Sequence, residues 1–346
     1  MAKRRSARSR GTAHRRPENT TTNPFSATAA QLRVLSVPPD VAYARAEWVF
    51  DRYAERLRAM AGVLTVDIGL RYQAGHPTGE IAVRVHVARK LPEAQLGQQV
   101  VPKQLDGVPV DVIERQFQVS RNELPDTGHG ALTTAPWIAP RHAPAFFGTA
   151  TLRLRDLRSE GAPCLLTCAH VLAGNHSVHD LDSDEPEVVD AAGELQGQAI
   201  RGRWVVDDRL DAALWRPQPD CRVAELVPTV SQIGRLTRAD VLNRTAVWKN
   251  GAHSGFSIGQ VESIRSLPIP IHMPDGSVVL ARDQAQIRPS DGRASFAARG
   301  DSGAAVLRHT PEGRTAWVAM VRAVDPQGFA IACHADDVAA RLEVVL

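Results

Sequence analysis

Apolar residues alternate with polar ones along three stretches in the first third of the chain: Leu64, Val66, Ile68 and Leu70, then Ile81, Val83, Val85 and Val87, then Val108, Val110 and Val112. A period of two puts each set on one face of a strand, and Gly75-His76-Pro77-Thr78-Gly79 supplies a turn between the first two. Ahead of them Val41, Ala44, Trp48, Val49, Tyr53, Leu57 and Met60 recur at helical spacing across residues 39–61, which predicts an amphipathic helix whose apolar stripe needs a sheet to cover it. Helix and strands together predict a small α/β sandwich over residues 38–115. Residues 116–145 lose this periodicity and carry Pro125, Gly128, Gly130, Pro136, Pro140 and Pro144, so they read as a linker. In residues 146–346 strand patterns return. Residues 147–155 alternate, Arg158-Ser159-Glu160-Gly161 turns, residues 163–167 run back, and residues 200–206 and 212–215 flank a single aspartate.

Charge and cysteine content narrow the class. Lys3, Arg4, Arg5, Arg8, Arg10, Arg15 and Arg16 crowd the start with no apolar core behind them, a pattern of neither a secretory signal nor a membrane anchor. Residues 1–25 are expected to be a disordered basic tail, since they bury too little apolar surface to fold. Clustered cations attract phosphates without reading sequence, yet the whole chain carries only +3, so nucleic acid is not expected as a main partner. No apolar run is long enough to span a bilayer, so no membrane partner is expected. The cysteines are Cys164, Cys168, Cys221 and Cys333. The first two, four apart on one strand, would lie about 13 Å apart, beyond the roughly 7 Å limit for a bridge. The reading is a reduced, cytoplasmic protein.

Three segments carry chemistry. Gly300-Asp301-Ser302-Gly303 offers a hydroxyl on a turn, Thr167-Cys168-Ala169-His170 a base at a strand end, and Asp211, between Leu210 and Ala212, a carboxylate with apolar flanks. Each alone is ordinary: a loop, a packed histidine, a strand end. Jointly they hold what a serine nucleophile requires, an imidazole to take its proton and an acid to orient the imidazole. The order is His, Asp, Ser, with 41 positions from His170 to Asp211 and 91 from Asp211 to Ser302; of the convergent triad orders only the chymotrypsin-like one fits.

With these residues the chain over 146–346 resembles the trypsin-like (chymotrypsin-fold) serine peptidases. The resemblance implies a mainly β fold of two six-stranded antiparallel β-barrels, preceded here by the small α/β sandwich, with His170 and Asp211 from the first barrel and Ser302 from the second. It also implies an oxyanion hole from the backbone N–H groups of Gly300 and Ser302, glycine at 300 letting the peptide turn inward. Residues 247–261, with Lys249, Gly251, Ser254, Gly255 and Gly259, are similar to a hairpin of the family's second barrel. Phe296, six before the nucleophile, and Ala297 stand where trypsin itself has an acidic floor, so a strong basic preference is not expected. Residues 317–324 would form a pocket wall, and Arg322 either faces the pocket and favours an acidic or polar residue or lies on the solvated face of the strand. In secreted relatives a new amino terminus, made by cleavage, pairs with the aspartate before the nucleophile, here Asp301; nothing at Ala145-Phe146 resembles the usual Ile-Val start. Residues 64–114 resemble the accessory module of some intracellular bacterial trypsin-like proteins, with oligomerisation, substrate selection or inhibition as its role.

The expected activity is that of a serine endopeptidase acting on protein or peptide substrates through an acyl-enzyme, regulated by the module or by a protein partner. The alternative is a catalytically latent trypsin-fold scaffold. No cofactor and no metal is expected: His176, His179, Asp180, Asp182 and Asp184 are possible ligands, but without helical spacing or a cysteine pair they read as a polar loop.

Overall fold

The computed structural model describes residues 38–96, 100–115, 135–272, 277–290 and 292–346. The basic tail and residues 116–134 of the expected linker lie outside the described residues. Residues 39–346 form one compact unit.

Helix α1 (Pro39–Arg58) opens it. Its buried residues are Tyr43, Ala46, Val49, Phe50, Ala54 and Leu57, an i, i+3, i+7 series, whereas Val41 and Trp48 of the expected stripe are half exposed. The buried face is therefore rotated from the expected one. Arg52 stacks on the Trp48 ring at 5.4 Å, so cation–π contact shelters an aromatic that the core does not take. α1 lies on a four-stranded sheet built from β1 (Val63–Gln73), β2 (His76–Val87), β3 (Gln104–Leu105) and β4 (Val108–Glu114) in the order β1-β2-β4-β3. β2 and β4 run parallel, with Val83 beside Val110 and Val85 beside Val112, so the apolar sets of the alternating stretches share one face.

The first barrel sheet takes β5 (Trp137–Pro140), β6 (Gly148–Thr149), β7 (Arg153–Asp156), β8 (Ala162–Thr167), β9 (Glu187–Val189), β10 (Leu195–Val206) and β11 (Asp211–Pro217). The second takes β12 (Gln232–Ile233), β13 (Ala246–Gly251), β14 (Gly255–Ser263), β17 (Gln284–Pro289), β18 (Ala305–His309), β19 (Thr315–Val324) and β20 (Ala330–His334), while β15 (Ile269–His272) and β16 (Val278–Ala281) pair as a separate two-stranded sheet. Short β21 (Val344–Val345) returns to the first sheet beside β7, which then runs β21-β7-β8-β11-β10-β9-β5-β6. In the second, β19-β18-β13-β14-β17-β20 closes on itself through β19–β20 pairing. The fold is thus mainly β: a closed six-stranded barrel and a half-barrel of the chymotrypsin type, preceded by the α/β sandwich. β5 corrects the linker reading, because Trp137, Ile138 and Ala139 are buried and paired to β6 and β9 despite the prolines around them.

Apolar residues of α1 and its sheet merge with those of the second barrel, including Val247, Val261, Ile287 and Phe296, in one core. Backbone bonds join them too: Ile68 N–H donates to Arg265 O at 3.2 Å and Leu267 N–H to Val66 O at 2.7 Å. All four cysteines are free and buried. Among the described residues no helix is long and apolar enough to cross a membrane.

Candidate active site

β8 ends at Thr167, and extended backbone at Cys168 starts the one-turn helix α2 (Ala169–Ala173), which presents His170. Asp211 is the first residue of β11 and pairs with Val206 across the sheet. Their side chains meet: His170 Nδ1 lies 2.6 Å from Asp211 Oδ2, and the His170 backbone N–H donates to Oδ1 at 3.1 Å. Asp211 is fully buried. Burial alone would raise its pKa, but the adjoining His170, its hydrogen bonds and the Arg322 cation outweigh that and hold it at about 2. A carboxylate accepting at Nδ1 fixes the proton there and leaves Nε2 with its lone pair, the tautomer a general base needs. His170 Nε2 has no hydrogen-bond partner among the described residues.

Ser302 follows a loop anchored from the other barrel. Thr149 N–H donates to Ser302 O at 2.8 Å, Thr149 Oγ1 to Gly300 O at 3.1 Å, and Thr151 Oγ1 to Gly303 O at 2.6 Å, while Thr167 Oγ1 braces Thr149 O at 2.8 Å. Gly303 has φ +93, and a Cβ there would stand 2.1 Å from Thr149 O, so only glycine lets the loop approach this closely. Gly300, at φ +94, likewise needs glycine. Neither Gly300 N–H nor Ser302 N–H donates to any acceptor among the described residues, which leaves both free for a developing oxyanion. Ser302 Oγ itself donates to Arg322 O at 3.3 Å rather than to His170.

Asp301 turns inward. Its carboxylate takes Lys249 Nζ at 2.8 Å, Ser254 Oγ at 2.6 Å, Ala298 N–H at 2.8 Å, Ser254 N–H at 3.0 Å and His253 N–H at 3.1 Å. Burial would raise its pKa, yet Lys249 and these donors hold it below the usual carboxylate range. Burial also draws the Lys249 ammonium down, against the pull of Asp301. With five donors on one carboxylate the ionic form of the pair prevails. Lys249 sits on β13 of the hairpin singled out in the sequence, where Gly251 leaves room: a Cβ there would fall 2.3 Å from Asp301 Oδ1. The threonines are not legible as site residues in the sequence, whereas Lys249 stands in the hairpin that the resemblance singles out.

The three expected pocket residues separate. Ala297 lines a cavity of ≈ 320 Å³ with Ala294, Ser295, Ala298, Val324 and Asp325. Phe296 does not line it, because its ring packs into the barrel core, against Gly259 and 5.6 Å from Lys249 Nζ. Arg322 neither faces the cavity nor reaches solvent: it is fully buried, with Nε 3.8 Å from Asp211 Oδ2 and Nη2 donating to Asp207 O at 3.1 Å. Both faces of β19 are covered, so the choice between pocket and solvent does not apply.

Cys168, His170 and Asp211 each place a possible ligand atom within 4.8 Å of the others. Burial pushes the Cys168 thiol well up, and its Sγ lies 3.3 Å from Val321 O, so it stays a protonated thiol and a poor metal ligand. In the polar loop Asp182 accepts from Gly202 N–H and Trp204 Nε1, both at 2.7 Å, and Asp184 meets His176 at 3.1 Å. These acceptors are engaged within the protein.

The buried acids set an acid limit on stability. Asp67, Asp211 and Asp301 all have depressed pKa values, so their contribution is present above the ordinary value of 3.8 and is lost as pH falls below it. Two groups oppose each other just above. Burial pushes Asp325 up to about 6 despite Arg115, a contribution lost as pH rises from 3.8 through 6; burial, helped by Arg235, pushes His334 down to about 4, a contribution lost as pH falls from 6.5 through 4. The urea midpoint is therefore expected to fall steeply below pH 3.8. A midpoint that holds constant down to pH of about 2 would contradict this.

No protein-family model and no curated protein matches the chain. Part of the chain is similar to solved structures of serine proteases. A glutamic-acid-specific serine protease described as using a novel histidine triad in substrate binding gives a TM-score of 0.41 at 13% identity, over 61% of this chain and 98% of its own. Thermobifida fusca protease A gives 0.40 at 11%, over 66% and 97%. Nocardiopsis protease gives 0.39 at 15%, over 58% and 92%. At these identities and scores the likenesses do not decide the chemistry, which is argued from the side chains.

Proposed function

We propose that the chain is a serine endopeptidase. The observation that carries this reading is the His170–Asp211 pair, an imidazole fixed at 2.6 Å by a fully buried carboxylate with its second nitrogen unengaged. Arg322 connects the pair to the nucleophile, its guanidinium beside Asp211 and its carbonyl accepting from Ser302. In this reading Ser302 Oγ leaves Arg322 O for His170 Nε2 when a substrate tightens a loose resting geometry.

Ser302 Oγ then attacks the scissile carbonyl as His170 Nε2 takes its proton, and the negative charge on the carbonyl oxygen is met by Gly300 and Ser302 N–H. His170 returns the proton to the leaving amine, an acyl-enzyme on Ser302 remains, and a water deprotonated by His170 releases the acid. Asp211 stabilises the imidazolium throughout. The cavity ahead of Gly300, with Ala297 in its wall, takes the side chain on the acyl side of the cut bond. Because Lys249 already supplies the cation for Asp301, this reading needs no new amino terminus to shape the loop.

The rival reading, a latent scaffold, is favoured by one observation, the Ser302 hydroxyl turned to Arg322 O. A peptide library incubated with the full chain separates the two: cleavage at a recurrent residue, blocked by a sulfonyl fluoride, is expected of the peptidase, and an intact library under all conditions is the result of a scaffold.

A further inference from the structure

The cavity wall is tied to the α/β sandwich by a chain of buried polar groups. In the sandwich, Arg84 makes a two-pronged contact with Asp67, Nε to Oδ1 at 2.7 Å and Nη2 to Oδ2 at 2.6 Å, and its Nη1 donates to Glu262 of β14. Gln286 of β17 donates to Asp67 Oδ2 at 2.7 Å and accepts from Arg115 Nη1 at 3.1 Å. Arg115 follows β4 directly, and its backbone N–H is fixed to Val87 O of β2 at 2.9 Å. Its guanidinium lies 3.8 Å over the Phe329 ring, and its Nε is 3.4 Å from Asp325 Oδ2. Asp325 lines the cavity next to Val324, the last residue of β19 and itself part of the wall.

Asp325 is 4% exposed and Arg115 also 4%, so water screens neither. The other Asp325 oxygen accepts from Phe329 N–H at 2.8 Å, and among the described residues Arg115 is the cation that compensates this acid. Burial already pushes the carboxyl up to about 6 with Arg115 in place, so without that cation its charge would be more costly still. Arg299 is the further charged residue of the wall; it is exposed, so water screens its charge, and it is unchanged in every variant below.

We infer that Arg115, a residue of the sandwich, determines the charge selectivity of the barrel's pocket by neutralising Asp325. This rests on the peptidase reading. With the pair intact the buried part of the pocket wall is neutral and lined by small side chains, and it takes small or medium uncharged residues. Removing either partner leaves the other as an uncompensated charge beneath the bound side chain, and the two removals have opposite signs.

The test compares cleavage of one peptide series that differs only in the residue before the cut: Ala, Leu, Glu or Lys. In Arg115→Gln the kcat/KM ratio of Lys to Ala is expected to rise about tenfold or more, and further as alkaline pH ionises Asp325. Arg115→Lys returns the ratio towards wild type, and adding Asp325→Asn to Arg115→Gln abolishes the gain. Asp325→Asn alone, which keeps an oxygen for Phe329 N–H, shifts the ratio the other way, towards Glu. A merely structural role would lower all four substrates together. Equal ratios in Arg115→Gln and wild type, or the same sign in both single variants, overturn the inference. In a Ser302→Ala background the same ratios are read as peptide affinities. A chain that cuts nothing yet shows these opposed affinity shifts refutes the peptidase reading alone, whereas unshifted or undetectable peptide binding refutes the selectivity claim.

Discussion

Under the peptidase reading, Ser302→Ala is expected to lower kcat for peptide cleavage by a factor on the order of 10⁶ while the protein stays folded. In that reading the hydroxyl is the atom that becomes bonded to the acyl group, so its loss would remove the covalent route and not a fraction of it. Its structural worth is small. Among the described residues it makes one hydrogen bond, at 3.3 Å to Arg322 O, and deleting it costs about 1 kcal/mol or less. Asp211→Asn makes a contrasting case: kcat falls about 10⁴-fold, because the amide no longer holds the required imidazole tautomer. That variant also leaves the Arg322 guanidinium, 3.8 Å away and fully buried, without its counter-charge, so it loses stability as well as rate. Steady-state kinetics beside urea unfolding for both variants separates the roles. Residual cleavage by Ser302→Ala at wild-type rate would remove Ser302 from the mechanism.

Lys249→Met is expected to destabilise the protein by about 3–5 kcal/mol, the cost of breaking a buried ion pair from one side. Both side chains are fully buried, with Nζ and Oδ2 2.8 Å apart. Because Asp301 lies between Gly300 and Ser302, a carboxylate that swings out for water takes both oxyanion donors with it, and activity falls together with stability. Replacing both partners, Lys249→Met with Asp301→Asn, leaves no orphan charge and is expected to recover part of the stability but little of the activity. Equilibrium unfolding in urea checks the first claim and kcat the second. A Lys249→Met protein as stable as wild type would mean that the Ser254, His253 and Ala298 donors alone hold Asp301.

Much of the candidate site is legible in the sequence because its chemistry is carried by residue types whose flanks repeat at strand spacing. His170 after β8, Asp211 at the head of β11 and the hairpin of β13 and β14 stand where those flanks put them. Legibility ends where burial is two-sided or partners are remote. The face of α1 differs from expectation because Trp48 and Val41 count as apolar in any periodicity, while in the molecule Tyr43 and Phe50 take the core. Pocket and solvent are the two places a strand pattern offers Arg322, but β19 is enclosed on both sides and its arginine pairs inward with Asp211. Arg84 and Glu262 are 178 positions apart, and Arg115 and Gln286 171 apart, so no local pattern could join them. The strand at Trp137–Pro140 is hidden by Pro136 and Pro140, which fall at its two ends and leave only Trp137, Ile138 and Ala139 to carry a strand pattern.

The central claim is that the His170–Asp211 pair activates Ser302, and the most direct test is labelling of the full chain with a fluorophosphonate, read by intact mass and by peptide mapping. One adduct per chain is expected, on Ser302, with labelling lost in His170→Ala. Absence of any adduct across the neutral to alkaline range, or an adduct at another residue with Ser302 unmodified, would contradict it.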